Sequence, residues 1–382
     1  MKILTNVYFN KVAGIAQALS SFIDFVEKSK LKIKVVGVDI VQKGQRYDPP
    51  QKAYDGNFSL ISATLDFEGI ATVINGAKTL KDVKKAYQSV IDTYASILQR
   101  EKPDLVLING TYFLPWCLLL AARQTKTPVA LHYHGILSKE TSHWEEKPRQ
   151  LFQEMERTFD GKDVYYIFPS QLAKETVEQE VYGHAVKRFS VLPNPVPLHF
   201  FKVKPQGQKR NVGVVGRWTR IKNPKFVEGL ARHNFRKIDP RDMFVLNVLT
   251  DLKRNSKPRQ RLGALMRFKN PLENTQLGTF YAQMGIVLSP SFFETYGNVA
   301  QEALASGIPV LVSKNMGVAE TFRNLGLDDW IVDFSSIKNV NKLIRQVSGK
   351  KVTRTVRKKL RDQYNPELLH AKLLAVLKTA YN

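Results

Sequence analysis

Two carboxylates, Glu294 and Glu302, have seven residues between them, with Thr295, Tyr296, Gly297 and Asn298 following the first. The apolar run 285–290 ahead of them reads as a buried strand, Gly307 closes a predicted helix, and a second apolar strand follows at 309–312. Acids at the C-terminal mouth of a strand stand where open α/β sheets bind ligands. A carboxylate accepts hydrogen bonds from sugar hydroxyls, and the N–H groups that open a helix attract phosphate. Together these features suggest a nucleotide-sugar site. The same spacing also suits the acid and nucleophile of a glycosidase, or a helix-capping acid followed by a solvated one.

Phosphate chemistry needs cations, and residues 214–224 supply them. Val214-Val215-Gly216-Arg217-Trp218-Thr219-Arg220-Ile221-Lys222-Asn223-Pro224 reads as strand, loop and helix start. Arg217 and Lys222 are spaced to neutralise a departing diphosphate without a metal ion, a preorganised charge effect that is large in catalysis. Arg220 reads as peripheral. His132 and His134 share one face of a strand, since side chains alternate. His134 precedes Gly135 at the strand's C-terminal end, whereas His132 reads as a packed core residue. No zinc-ligand spacing, Walker loop or Gly-x-Ser-x-Gly elbow occurs.

The elements that must position these groups alternate along the chain. Strands at 2–9, 32–41, 104–109, 129–134, 164–169 and 189–192 are separated by helical patterns at 12–28, 78–100 and 171–182, with an apolar helix between 109 and 129. Four prolines in 193–208 break the pattern, and it restarts with strands at 211–216, 243–249, 264–268 and 330–334 around the strand–helix–strand unit of the two acids. Strands separated by helices predict parallel, doubly wound sheets. The 382 residues suit two domains. We expect an N-terminal domain at 1–195, a linker or hinge at 196–208, a second domain at 209–365, and a helix at 366–382 that packs back on the first.

Charge is uneven. Residues 1–200 carry 25 Lys and Arg against 21 Asp and Glu, and residues 201–382 carry 33 against 13. A net +24 favours anionic partners. Basic clusters at 253–269 and 350–361 would suit an anionic leaflet; single-stranded nucleic acid wants interleaved aromatics, and only Phe268 lies in the first cluster. No apolar run reaches the ~20 residues of a membrane span. The first ten residues read as a strand and not as a signal peptide, and the single Cys117 fits a reducing cytosol.

Pro290, Ser291, Glu294, Gly297, Glu302, Ala303, Ala305, Gly307, Pro309 and Val310 are together similar to the donor-site signature of the retaining family-4 glycosyltransferases. The resemblance implies a GT-B fold, with two Rossmann-like doubly wound domains facing each other across a cleft, and a metal-independent reaction with no cofactor. It implies that Glu302 binds the ribose and that Glu294, with Thr295, Tyr296, Gly297 and Asn298, contacts the transferred sugar and phosphates. Gly216-Arg217 and Lys222 match the family's phosphate residues, and His134 stands in the place of a histidine that reaches the sugar. Similar enzymes have a Gly-rich loop after the first strand; here 11–16 keeps one glycine, Gly14. Tyr296 and Asn298 replace the usual Phe and Leu, and Pro195 a common glycine.

The expected function is transfer of a sugar from a nucleotide diphosphate sugar, UDP favoured over GDP, to a hydroxyl of a glycan, a lipid-linked or an anionic polymeric acceptor in bacterial envelope synthesis. The expected place is the cytoplasm, peripheral on the membrane's inner face, with no nucleic-acid partner. The alternatives are a GT-B epimerase or phosphorylase and a non-catalytic basic binder.

Overall fold

A computed structural model of the protein describes residues 1–7, 14–45, 56–237 and 243–381. The chain divides into two compact units, Met1–Pro193 with Pro366–Asn382, and Asn194–Asn365. The segment 196–208 lies within the second unit. It contains a short 3-10 helix, Leu198–Lys202, whose Phe200 is buried with its ring against Tyr281.

Among the described residues the first unit has seven parallel strands: β1 Lys2–Asn6, β2 Lys34–Gln42, β3 Phe58–Leu65, β4 Leu105–Asn109, β5 Val129–His132, β6 Val164–Phe168 and β7 Phe189–Val191, in the order β3-β2-β1-β4-β5-β6-β7. The second has six: β8 Asn211–Val215, β9 Val245–Leu249, β10 Arg267–Lys269, β11 Ile286–Ser289, β12 Val310–Ser313 and β13 Ile331–Val332, in the order β10-β9-β8-β11-β12-β13. Central strands such as β4 are buried at every position. Near-continuous apolar sequence is what a parallel sheet covered on both faces requires. In each sheet the order reverses once, between β1 and β4 and between β8 and β11. These are the switch points at which doubly wound sheets open a crevice for ligands.

The structure departs from the sequence reading at several elements. The helix expected over 78–100 is two, Leu80–Ala86 and Gln88–Glu101, broken at Tyr87. Tyr87 is fully buried; its ring packs on Phe67 and Phe113, and its hydroxyl donates to the Glu68 carbonyl at 3.1 Å. Tertiary packing thus overrides a pattern that reads as continuous. The helix expected over 171–182 becomes a π-helix from Val177 to Tyr182. Strand β3 was not anticipated, although its outer residues alternate in burial. The strand expected at 264–268 is the shorter β10, which starts at Arg267 after the buried Met266.

The helix Pro366–Tyr381 belongs to the first unit. It buries Leu369, Leu373, Leu374 and Leu377, a gross stabilisation of roughly 6–12 kcal/mol before the entropy of ordering is subtracted. Its His370 lies 2.8 Å from the Ser21 hydroxyl on the helix Gly14–Lys28, beside the rings of Phe22 and Phe25. No helix among the described residues is long and apolar enough to cross a membrane.

Candidate active site

In the second unit, two strand-end loops are tied together across the β8/β11 switch point. The Phe292 N–H donates to the Ile221 carbonyl at 2.8 Å, and the Asn223 amide donates to the Pro290 carbonyl at 3.2 Å. Asn223, in the left-handed region at φ 56°, also caps the helix Pro224–Phe235 by accepting from the Phe226 N–H. An Asn cap followed by Pro at the first helical turn is a start signal legible in sequence. These bonds place Lys222 from one loop beside Glu294 from the other.

Lys222 Nζ and Glu294 Oε1 form an ion pair at 2.8 Å, both partly buried. The same oxygen accepts from the Ser291 hydroxyl at 2.6 Å. The Lys222 stem passes over Gly216; a Cβ there would lie 3.7 Å from its Cγ and Cδ. Arg217 is exposed at the same strand end and has no ion pair among the described residues. Two cations and one carboxylate are therefore gathered at the mouth. The carboxylate is held by a hydroxyl whose role sequence reasoning did not assign.

After Glu294 the chain turns at Gly297, whose φ of 112° is open to glycine and costly to other residues. An added Cβ would collide with Met316 Cε and lie 3.2 Å from Val318 Cγ1. Gly297→Ala is expected to destabilise by about 1–3 kcal/mol, read as a lower midpoint in thermal unfolding. The N-cap of the helix Asn298–Ala305 that follows is Gly297, which has no side chain to occupy the helix's first N–H groups, the donors that attract phosphate. Asn298 accepts from the Asn194 side chain at 2.8 Å. Thr295 is buried. Tyr296 is buried too, its hydroxyl donating to Gln301 Oε1 at 3.0 Å and paired with Thr321 at 2.9 Å. What Tyr296 offers a ligand is its backbone, because the ring points into the core.

Glu302 lies one turn into that helix, 4% exposed. Its Oε2 accepts from the fully buried Tyr281 hydroxyl at 3.0 Å, and burial pushes the carboxyl up to about 7. Sequence reasoning missed Tyr281, since nothing in its own helix marks it as a partner for an acid 21 residues away.

In the first unit, the β1/β4 switch point is sealed by asparagines. Asn6 and Asn109 exchange bonds, with the Asn109 N–H donating to Asn6 Oδ1 at 2.8 Å and the Asn6 amide to the Asn109 carbonyl at 3.1 Å. The Asn109 amide donates to Thr5 Oγ1 at 2.7 Å, leaving its Oδ1 turned to His134 Nε2 at 3.3 Å. That orientation puts the imidazole proton on Nε2 and makes Nδ1 the ring's acceptor. Burial lowers His134 to about 4, so the ring is neutral at pH 7. His132 is buried, its ring 4.1 Å from that of His134. Gly14 opens the helix Gly14–Lys28, and residues 11–13 of the expected Gly-containing loop lie outside the described residues. The Asn109-Gly110 pair at a strand end is a turn signal that could have marked Asn109 beforehand.

The family model "Glycosyl transferases group 1" matches residues 197–365, and "Glycosyltransferase Family 4" matches residues 69–200. A GDP-mannose-dependent alpha-mannosyltransferase of Corynebacterium glutamicum is 23% identical over 257 residues, 65% of this chain. The match spans 60% of that relative's length. Among solved structures, sucrose-phosphate synthase from Thermosynechococcus elongatus superposes with a TM-score of 0.72 at 14% identity, covering 100% of this chain and 99% of that one. A trehalose-6-phosphate structure from E. coli, bound with UDP-2-fluoro glucose, gives 0.71 at 11% identity, with 99% of each chain covered.

Proposed function

The chain has the GT-B fold and resembles the family-4 glycosyltransferases, and from that premise we propose that it moves a hexose from a nucleotide diphosphate sugar to an acceptor hydroxyl with retention of configuration. The observation that carries this reading is the Lys222–Glu294 pair, held by Ser291 beside exposed Arg217 at the β8/β11 switch point. In this reading Lys222 and Arg217 take the diphosphate, and Glu294 turns to the sugar. Glu302 accepts from the ribose hydroxyls. In the reaction the bond from sugar C1 to the phosphate oxygen breaks. A bond from C1 to the acceptor oxygen forms on the same face, and the acceptor's proton passes to the departing diphosphate. The two cations supply the charge stabilisation that a metal ion provides in other enzymes. In this reading His134, neutral and facing Asn109, orients a sugar hydroxyl.

Two donors compete in this reading, since the mannosyltransferase relative is named for GDP-mannose and the trehalose-6-phosphate structure holds UDP-2-fluoro glucose. A glycan, lipid-linked or anionic polymeric acceptor at the inner membrane face fits the charge. The helix Arg354–Tyr364 turns Leu360 and Tyr364 inward and exposes Arg354, Lys358, Lys359 and Arg361. Thermal-shift screening with UDP-, GDP- and ADP-sugars, with and without Mg²⁺, should show stabilisation by one nucleotide class regardless of the metal. Proton NMR of the product should then show the donor's anomeric configuration. An inverted product, or release of a free 2-epimer without acceptor, would overturn the proposal.

A further inference from the structure

Glu156 has no part in the chemistry proposed above, yet its carboxylate is the most deeply buried acid of the first unit. It lies at 0% exposure near the end of the helix Glu146–Arg157. Among the described residues it has no ion pair. Its bonds go instead to the start of the short helix Leu137–Glu140 that follows β5 and to the loop after β4. Oε1 accepts from the Leu137 N–H at 2.8 Å, and Oε2 accepts from the Ser138 N–H at 2.9 Å. The Thr111 hydroxyl lies 3.5 Å from Oε1 and 3.4 Å from the Gly135 carbonyl. Thr111 is two residues beyond Asn109, and Leu137 three beyond His134.

We infer that Glu156 is a positioning residue: its carboxylate clamps the loop after β4 to the loop after β5 and so sets the place of the Asn109–His134 pair. A buried carboxylate without an ion-pair partner is a costly way to fill a core site even when it is hydrogen-bonded. A carboxylate gives each of the two consecutive N–H groups an oxygen of its own, which a single amide oxygen does not. Burial raises Glu156 to about 7, with the two N–H groups opposing that rise. The inference rests on the reading of His134 as a sugar-facing group.

Glu156→Gln is the test, because it preserves shape while leaving one N–H facing an amide NH₂. The donor is whichever of UDP-glucose and GDP-mannose turns over, and the rate is followed by nucleoside diphosphate release. A displaced reacting group costs on the order of 10²-fold, so kcat should fall about 10- to 100-fold. Donor KM should stay within about twofold, as should the thermal shift given by the nucleotide alone. Amide hydrogen exchange at Leu137 and Ser138 should accelerate at least about tenfold. The exposed Glu154→Gln on the same helix should change none of these. Unchanged exchange at both amides, or kcat and KM that worsen together with a collapsed unfolding midpoint, would overturn the inference. If Glu156→Gln does not fold, Thr111→Val takes its place, with faster exchange at Leu137 expected and unaltered exchange contrary. His134→Ala separates the two readings. Wild-type kcat there removes the sugar-facing role of His134, while the exchange result still judges the clamp.

Discussion

Replacing Lys222 by alanine is expected to lower kcat/KM by about 10²- to 10³-fold, the range seen when one preorganised charge or donor is removed from a developing anion. Lys222 is partly buried and bound to Glu294 at 2.8 Å, so its ammonium is already aimed before any ligand arrives. In the proposed reading, diphosphate binding would exchange one carboxylate oxygen for phosphate oxygens at Lys222 and leave Glu294 with its Ser291 bond. Stability should change little, because a partly exposed pair contributes about 0–1 kcal/mol. Lys222→Arg should restore only part of the rate, since a planar fork does not reproduce a compact point charge. Arg217→Ala should add a further loss, because that side chain stands exposed at the same mouth. Rates of nucleoside diphosphate release decide the matter: an alanine variant within about threefold of wild type would remove the phosphate role from Lys222.

Glu302→Gln should leave a signature in pH. The Glu302 carboxyl is raised from its usual range to about 7, chiefly by burial. A group raised in the folded state contributes stability that is complete below its unfolded value near 4.5 and is lost as pH climbs through about 7. The wild-type protein should therefore lose up to about 3 kcal/mol from this group between pH 4.5 and 8, at about 1.4 kcal/mol per unit. The glutamine variant should lose none, so its unfolding midpoint gains on wild type as pH rises. His134 and His370 act in the opposite sense, both lowered by burial to about 4. Their contribution is complete above about 6.5 and fades as pH falls toward 4. Comparing variant with wild type at each pH cancels them. Nucleotide affinity gives the second readout: ribose hydroxyls donate best to an ionised carboxylate, so wild-type affinity should strengthen through pH 7 and the variant's should not. A constant midpoint difference from pH 5 to 8 would show that Glu302 keeps an ordinary pKa.

Much of this was written in local sequence. The alternation of apolar runs with helical periods predicted parallel sheets because strands buried on both faces must be apolar nearly throughout, as Leu105–Asn109 is. Gly297 was legible because a turn into a helix needs its positive φ. The pair of cations and the pair of acids could be named because each lies within one short segment after a strand. Tyr87 was illegible, since a buried aromatic that breaks a helix keeps the helix's own periodicity. Strand β3 was lost for a different reason: at a sheet's edge, its alternation of half-buried residues gives a weak signal.

Sequence alone determined which residue types gather at strand ends, because spacing along one loop is set by covalent connectivity. Only the tertiary structure decided which of them meet. Lys222 and Glu294 are 72 positions apart and come together because β8 and β11 are neighbours in the sheet. Tyr281 reaches Glu302, Asn109 orients His134, and Glu156 binds Leu137 and Ser138, each through a contact between separate elements. Hydrogen bonds of this kind depend on distance and direction in space. Order along the chain does not encode them.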